Sequence, residues 1–291
     1  MKIAMISIIG RPNVGKSSLM NQILDYNVSI VSNVPQTTRD QITGIYNDEN
    51  YQIVFIDTPG IHKPLNLLGE QLNKNAYDTI KDIDCILFLS PINEKIAAGD
   101  LNILEKLKNV KNKIAVITKI DLAKKPEEIE NKINELRNFE FSKILSVSTK
   151  NKRSINDLIT VLKEYCYEGE PLYDTDAITD KSMRFITKEI IRESAINFLK
   201  DELPHSIAVE VNEFNEDEEN NFIAIEAIIY VKKDSQKGML IGKNGSMIKK
   251  IGIDARKKLT TLFGAKIQLN TKIKVARKWI EDSKALKKFG Y

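Results

Sequence analysis

Gly10, Gly15, Lys16 and Ser17 stand in the order G-x4-G-K-S within GRPNVGKS, directly behind the apolar run KIAMISII. A strand that ends in glycine, turns and enters a helix leaves backbone N–H groups unpaired at the helix start, and amides converging on one point attract an anion. The two glycines let backbone approach a phosphate, Lys16 can reach the β- and γ-phosphates, and the Ser17 hydroxyl suits Mg2+. Glycine for purely steric reasons would also satisfy a strand–helix turn. Placement between an apolar strand and the helical pattern SSLMNQIL favours the phosphate.

Four further segments carry chemistry of the same kind. Asp57-Thr58-Pro59-Gly60 follows an apolar run, so its carboxylate can hold Mg2+ through water while Gly60 brings a backbone N–H to a γ-phosphate. Thr38, in the polar stretch Thr37-Thr38-Arg39-Asp40, can close on Mg2+ when a γ-phosphate is present, although Thr-Thr is also ordinary loop chemistry. In Thr118-Lys119-Ile120-Asp121 the carboxylate can accept from guanine N1–H and the 2-amino group together, a pair adenine does not offer, with the Lys119 stem along the purine face. Ser148-Thr149-Lys150 closes that base pocket with backbone amides.

The elements that must position these residues are legible as alternation. YQIVFID, CILFLS, KIAVITKI and SKILSVS alternate with helical patterns, and ITGIYNDENYQIVFI reads as a hairpin. This predicts an α/β domain with a mostly parallel sheet flanked by helices. In such a sheet ligands sit beyond the C-terminal strand ends, where the candidate residues fall.

Residues 167–182 are acidic and turn-rich, and we read 1–168 as one domain, 169–181 as a linker and 182–291 as a second domain. The second opens with the amphipathic helix FITKEIIRESAINFLKDEL, continues through strands SIAVEV and FIAIEAIIYV parted by the acidic turn NEFNEDEENN, and ends with GMLIGKNGSMIKKIGIDARKKLTTLF and AKIQLNTKIKV. Helix, strand, strand, helix, helix, strand is the order of a type II KH domain, an α+β unit. Its Gly242-Lys243-Asn244-Gly245 would be the GxxG loop, with Ile241 before it and Lys249 and Lys250 after it. A helix–turn–helix hairpin is the alternative. Trp279 reads as a packing residue, and base edges are expected to meet the backbone of FIAIEAIIYV.

GRPNVGKSSL, PQTTRD, DTPGIHKP and TKID, with the junction GEPLYDTDAITDKSMRFITKEIIRE, LPHSIAVEV and the ending KVARKWIEDSKALKKFGY, resemble the Era family of ribosome-assembly GTPases over essentially the whole chain. The resemblance implies GTP hydrolysis to GDP and binding of the 3′ end of 16S ribosomal RNA during small-subunit assembly. It carries Val14 and Ser18 into the nucleotide-binding set beside Gly10, Asn13, Gly15, Lys16 and Ser17. It also makes Lys16, Asn13, Thr38 and Gly60 the residues of catalysis, with Ser17, Thr38 and Asp57 about Mg2+. Ile61 stands where Ras-like enzymes place a water-orienting glutamine and has no hydrogen-bonding group. Asn13 is where related GTPases bind K+, or it merely fits the turn, and His62 reads as a contact residue. Two departures stand out: Thr118 replaces the asparagine usual in the base-reading motif, and Thr149 replaces an alanine.

The 291 residues are 42% hydrophobic and 29% charged, which suits a globular protein of about two domains. Two distant cysteines, Cys85 and Cys166, form no metal-ligand pattern and read as small hydrophobes in a reducing compartment. No run nears the ~20 apolar residues of a membrane span. Residues 222–291 hold 17 Lys+Arg against 5 Asp+Glu, while residues 1–221 hold 27 against 35. A basic domain of this kind meets a polyanion, nucleic acid or a membrane surface. The expected setting is the cytoplasm, as a monomer, with peripheral contact to the inner face of the membrane as a second expectation. A non-hydrolysing, nucleotide-dependent RNA-binding protein is the alternative function. A tandem GTPase lacks its second phosphate loop here, and TKID disfavours a small-molecule kinase.

Overall fold

The computed structural model describes residues 1–32, 39–61, 64, 66–79, 83–199 and 206–290. They form two compact units, one gathering the described residues within 1–29, 38–65 and 69–180, the other those within 30–37, 66–68 and 181–291.

The first unit is built on strands β1 (Lys2–Ile9), β2 (Ile42–Asn47), β3 (Tyr51–Asp57), β4 (Cys85–Pro91), β5 (Lys113–Thr118) and β6 (Lys143–Ser146), in the order β2-β3-β1-β4-β5-β6. β2 pairs antiparallel with β3, whereas β3, β1, β4, β5 and β6 run parallel. A short β7 (Tyr167–Glu168), which the sequence did not suggest, pairs antiparallel with the start of β1. Strands buried on both faces need continuous apolar runs, and β4 and β5 are buried along their full lengths. The helices are α1 (Lys16–Leu24), α2 (Leu67–Asp78), α3 (Ala98–Lys106), α4 (Pro126–Leu136) and α5 (Lys152–Leu162). α5 shows the amphipathic rule directly: Ile155, Leu158, Ile159 and Leu162 form the buried stripe, and the Asn151 side chain caps the helix by accepting from Arg153 N and Ser154 N.

The acidic stretch behind β7 is tied to this unit. Gln52, fully buried, accepts from Leu172 N and Tyr173 N at 2.7 and 3.1 Å and donates to Tyr173 O at 2.9 Å. Along β2, the edge strand, Asn47 donates to Ala177 O, Ile45 N to Ile178 O at 2.8 Å, and Thr43 Oγ1 to Asp180. Turn-rich composition has thus produced a strap over a sheet edge that would otherwise offer free backbone groups.

The second unit comprises α6 (Met183–Phe198), β8 (Ala208–Asp217), β9 (Phe222–Val231), α7 (Asp234–Ile241), α8 (Ser246–Phe263), β10 (Lys266–Val275) and α9 (Ser283–Phe289). Its sheet order is β10-β9-β8, with β9 parallel to β10 and antiparallel to β8. β8 runs six residues into the segment read as an acidic turn, because Glu213, Asn215 and Asp217 pair with β9 as a regular ladder past an irregularity at Val211/Glu213. Ile190, Ile191, Val209, Ile225, Ile229, Ile251, Ala255 and Leu259 share one core, each large side chain contributing roughly 1.5–3 kcal/mol by burial. Trp279 is fully buried, its Nε1 donating to Ser206 O at 3.0 Å and its ring edge-on to Phe289 of α9, so it is a packing residue.

Cys85 is buried, which pushes its thiol up to about 12; Cys166 is only half-buried. Among the described residues no helix is long and apolar enough to cross a membrane.

Candidate nucleotide site and nucleic-acid interface

The phosphate loop connects β1 to α1, and α1 starts at Lys16, one residue before the helical pattern SSLMNQIL. Gly15 is its N-cap at φ 104°, a left-handed value that favours glycine, and no side chain caps the helix start. The loop is held from several sides. A Cβ on Gly10 would lie 2.9 Å from a Val14 methyl, and one on Gly60 would lie 2.7 Å from the Pro12 backbone, so the DTPG turn and the loop touch through a bare Cα. Ile61 N donates to Gly10 O at 3.3 Å, and the Ile61 side chain is buried. From the end of β5, Thr118 Oγ1 donates to Val14 O at 2.7 Å and Lys119 Nζ to Asn13 O at 2.7 Å. The threonine in the usual asparagine position therefore performs one bond, to the loop itself.

Lys16 is buried, its ammonium donating to Gly10 O at 3.1 Å and Arg11 O at 2.9 Å. Burial lowers its pKa to about 8, against the pull of Asp57. Asp57 is likewise fully buried, and burial raises its pKa although Lys16, Ser17 and Ser29 favour the carboxylate. Its Oδ2 accepts from Ser17 Oγ at 2.7 Å and Ser29 Oγ at 2.9 Å; its Oδ1 is buried with no hydrogen-bond partner. A bare carboxylate oxygen beside a serine hydroxyl is a pair of oxygen ligands that fits Mg2+. Ser29 went unnoticed in the sequence, where nothing distinguishes it from other loop serines. Thr38 and His62 lie outside the described residues.

A cavity of about 70 Å3 opens beside the loop, lined by Gly15, Ser18, Leu19, Thr118, Lys119, Val147 and Thr149. Lys119 takes a left-handed φ of 58° at the strand end. Asp121 is held by Lys150 Nζ at 2.6 Å and Ser148 Oγ at 2.8 Å, and these two bonds lower its pKa. Of the three amides expected to close the pocket, Ser148 N already donates to Ser154 Oγ and Lys150 N to Ser148 Oγ. That leaves Thr149, on the cavity wall, as the amide suited to a base oxygen.

In the second unit, the GKNG segment joins α7 to α8. Gly242 and Gly245 have φ of 70° and 76°, and Asn244 between them has 53°. A Cβ on Gly242 would press on Met247 Cβ at 2.8 Å, while one on Gly245 would meet nothing within 4 Å. Lys243, Asn244, Lys249 and Lys250 are exposed and Ile241 is half-buried. Gly245 is the N-cap of α8 with no side-chain bond; Ser246 N turns back onto Lys243 O, and the amides that follow it at the helix start have no side-chain cap. One expectation is corrected here. β9, FIAIEAIIYV, is the central strand and bonds on both sides, so its backbone is spent; among the described residues β8 and β10 each pair with β9 alone, so the open edges of the sheet belong to these two strands.

A phosphate loop, an acidic strand tip and a base pocket on a parallel sheet, followed by a GxxG unit, define a nucleotide-binding protein joined to a KH domain. The family model described as 50S ribosome-binding GTPase matches residues 5–120, and that of the KH domain matches residues 202–280. The chain is 65% identical over 291 residues to GTPase Era of Mycoplasmopsis agalactiae, covering 100% of both, and 53% identical to GTPase Era of Mycoplasmopsis pulmonis, covering 99% of both. Among solved structures it is similar to Era in complex with MgGDPNP and nucleotides 1506–1542 of 16S ribosomal RNA, with TM-score 0.94 and 34% identity over 100% of this chain and 99% of that one. A point variant of Aquifex aeolicus Era bound to GDP·AlF4− gives TM-score 0.95, again at 34% identity and the same coverage. The chain belongs to the Era family of GTPases, and hydrolysis of GTP is its reaction.

Proposed function

We propose that this chain is a GTP-driven RNA-binding switch that engages the 3′ end of small-subunit ribosomal RNA during assembly of that subunit. In our division, residues 1–168 bind GTP, 169–181 link, and 182–291 grip RNA. The observation that carries the nucleotide half is Asp57, buried, with one oxygen on Ser17 and Ser29 and the other bare. Ser17, Asp57 and Thr38 would hold Mg2+, which neutralises charge on the β- and γ-phosphates. The neighbouring Era complex with MgGDPNP and 16S ribosomal RNA supports both halves.

The residues act in sequence. Lys16 exchanges the carbonyls of Gly10 and Arg11 for phosphate oxygens, whose charge offsets its burial penalty and holds it protonated. Amides at the start of α1 and of Gly60 receive the developing charge. Asp121 reads guanine, and Ile61, buried and apolar, contributes no group to the attacking water. Asn13, exposed at the loop crest in a left-handed conformation, would present K+ to the phosphates. We further place the protein in the cytoplasm as a monomer, with the basic face of the second unit as the surface for any membrane contact.

Single-turnover GTP hydrolysis, with and without the 3′-end RNA and in K+ against Na+, tests these assignments. The reading expects faster turnover in K+ and RNA binding in nucleotide-loaded protein. Equal turnover in K+ and Na+ would remove the role given to Asn13, and RNA that binds neither nucleotide state would remove the RNA half of the reading.

A further inference from the structure

Lys16 is not the phosphate loop's sole cation. Arg11 adjoins Gly10, and its guanidinium is turned onto two carboxylates: NH2 lies 2.8 Å from Glu94 Oε2 and Nε lies 2.8 Å from Asp100 Oδ2. Asp100 is fully buried in the first turn of α3, where Oδ2 also accepts from Ala97 N at 2.9 Å and Oδ1 has no hydrogen-bond partner. Gly99 permits the arrangement, since a Cβ there would come within 2.9 Å of Arg11 Cδ. The Glu94 segment is anchored in turn. Lys132, buried on α4, donates to Glu94 O at 2.8 Å and pairs with Glu135 at 3.0 Å, while Glu135 accepts from Ile96 N at 3.1 Å.

Two carboxylates beside a triphosphate seat repel it unless a cation cancels them. The guanidinium fork reaches both at once, which a lysine's single ammonium does less well. The peptide oxygens that seat Lys16 are those of Gly10 and of Arg11 itself.

We propose that Arg11 is a positioning residue of the nucleotide site: its ion pairs with Glu94 and Asp100 cancel their charge at the rim of the phosphate loop and fix the peptides from which Lys16 departs. Arg11 acts through its neighbours and does not touch the phosphates. The inference rests on reading residues 10–17 as the phosphate seat, and it makes the penalty for losing Arg11 grow with the charge of the ligand.

The test is competition by GTP, GDP and GMP against a fluorescent GDP analogue, using the full chain with Mg2+. In Arg11→Gln, GTP weakens by about tenfold or more, GDP less, and GMP by no more than about twofold, because two stranded carboxylates act on successively fewer phosphate charges. Adding Asp100→Asn recovers most of the GTP loss. Equal weakening of all three ligands, no weakening, or no recovery in the double variant overturns the proposal. Should Arg11→Gln not fold, Glu94→Gln at a part-exposed side chain reads the same balance with opposite sign: GTP tightens relative to GMP, and an unchanged ratio overturns the idea. Failure of the underlying reading looks different, since then the unaltered chain shows no preference for GTP over GMP and Lys16→Ala binds as it does.

Discussion

The phosphate loop and the GKNG loop use the same backbone device to different ends. Each ends in a glycine N-cap of positive φ, Gly15 at 104° and Gly245 at 76°, and each leaves the helix start uncapped by a side chain. The first is enclosed: Thr118, Lys119 and Gly60 press on it, and its lysine is buried. The second is a ledge, with Lys243 and Asn244 exposed and open space beyond Gly245. A socket built to this tightness suits a small ligand of fixed shape, whereas a ledge lets the backbone of a polymer pass. Enclosure also separates the electrostatics. Burial moves the pKa of Lys16, and substitutions in the socket act through packing as well as charge.

The largest effects should come from the socket. Gly60→Ala forces a Cβ into the Pro12 backbone at 2.7 Å, and Lys16→Ala removes the cation; each should weaken GTP by about a hundredfold or more in equilibrium binding, with RNA affinity of the nucleotide-free chain unchanged. If Gly60→Ala is silent, the close contact is not part of the working site.

On the ledge, replacing Lys243 and Asn244 with Asp should weaken single-stranded 3′-end RNA by about tenfold or more, through repulsion at contact distance, while basal GTP hydrolysis holds. Unaltered RNA affinity in filter binding would remove the GxxG assignment.

The pH response sharpens the contrast further. Lys16 has its pKa lowered from 10.5 to about 8, and bound phosphates would raise it again. Nucleotide binding should therefore take up protons above pH about 8, with affinity falling from there toward pH 10.5, measurable by calorimetry in buffers of different ionisation enthalpy. For the nucleotide-free chain the sign is opposite: between those values the unfolded state binds more protons, so this group makes stability rise with pH.

The smallest effect expected is Gly245→Ala, which places alanine at φ 76° without a clash and should cost about 1 kcal/mol of thermal stability. The same change at Gly242, where Met247 lies 2.8 Å away, should cost more.

Much of this contrast was legible in the sequence because it is local. Glycine spacing, a following helix pattern and a lysine one residue on set backbone φ and helix-end amides over a few residues, so GRPNVGKS and GKNG announce their geometry wherever the chain goes. Alternating apolar runs likewise foretold the parallel sheet, since buried strands need unbroken apolar surface. What only the tertiary structure decided involves partners far apart in the chain. Ser29 reaches Asp57, Arg11 reaches Asp100, and Gln52 and β2 bind the segment 172–180, none of which leaves a pattern along the sequence. The edge position of β10 in the second sheet belongs to this group too. FIAIEAIIYV and AKIQLNTKIKV both read as strands, yet which one keeps free backbone groups depends on sheet order, and hydrogen bonding across the sheet placed β9 in the middle and β10 at the rim.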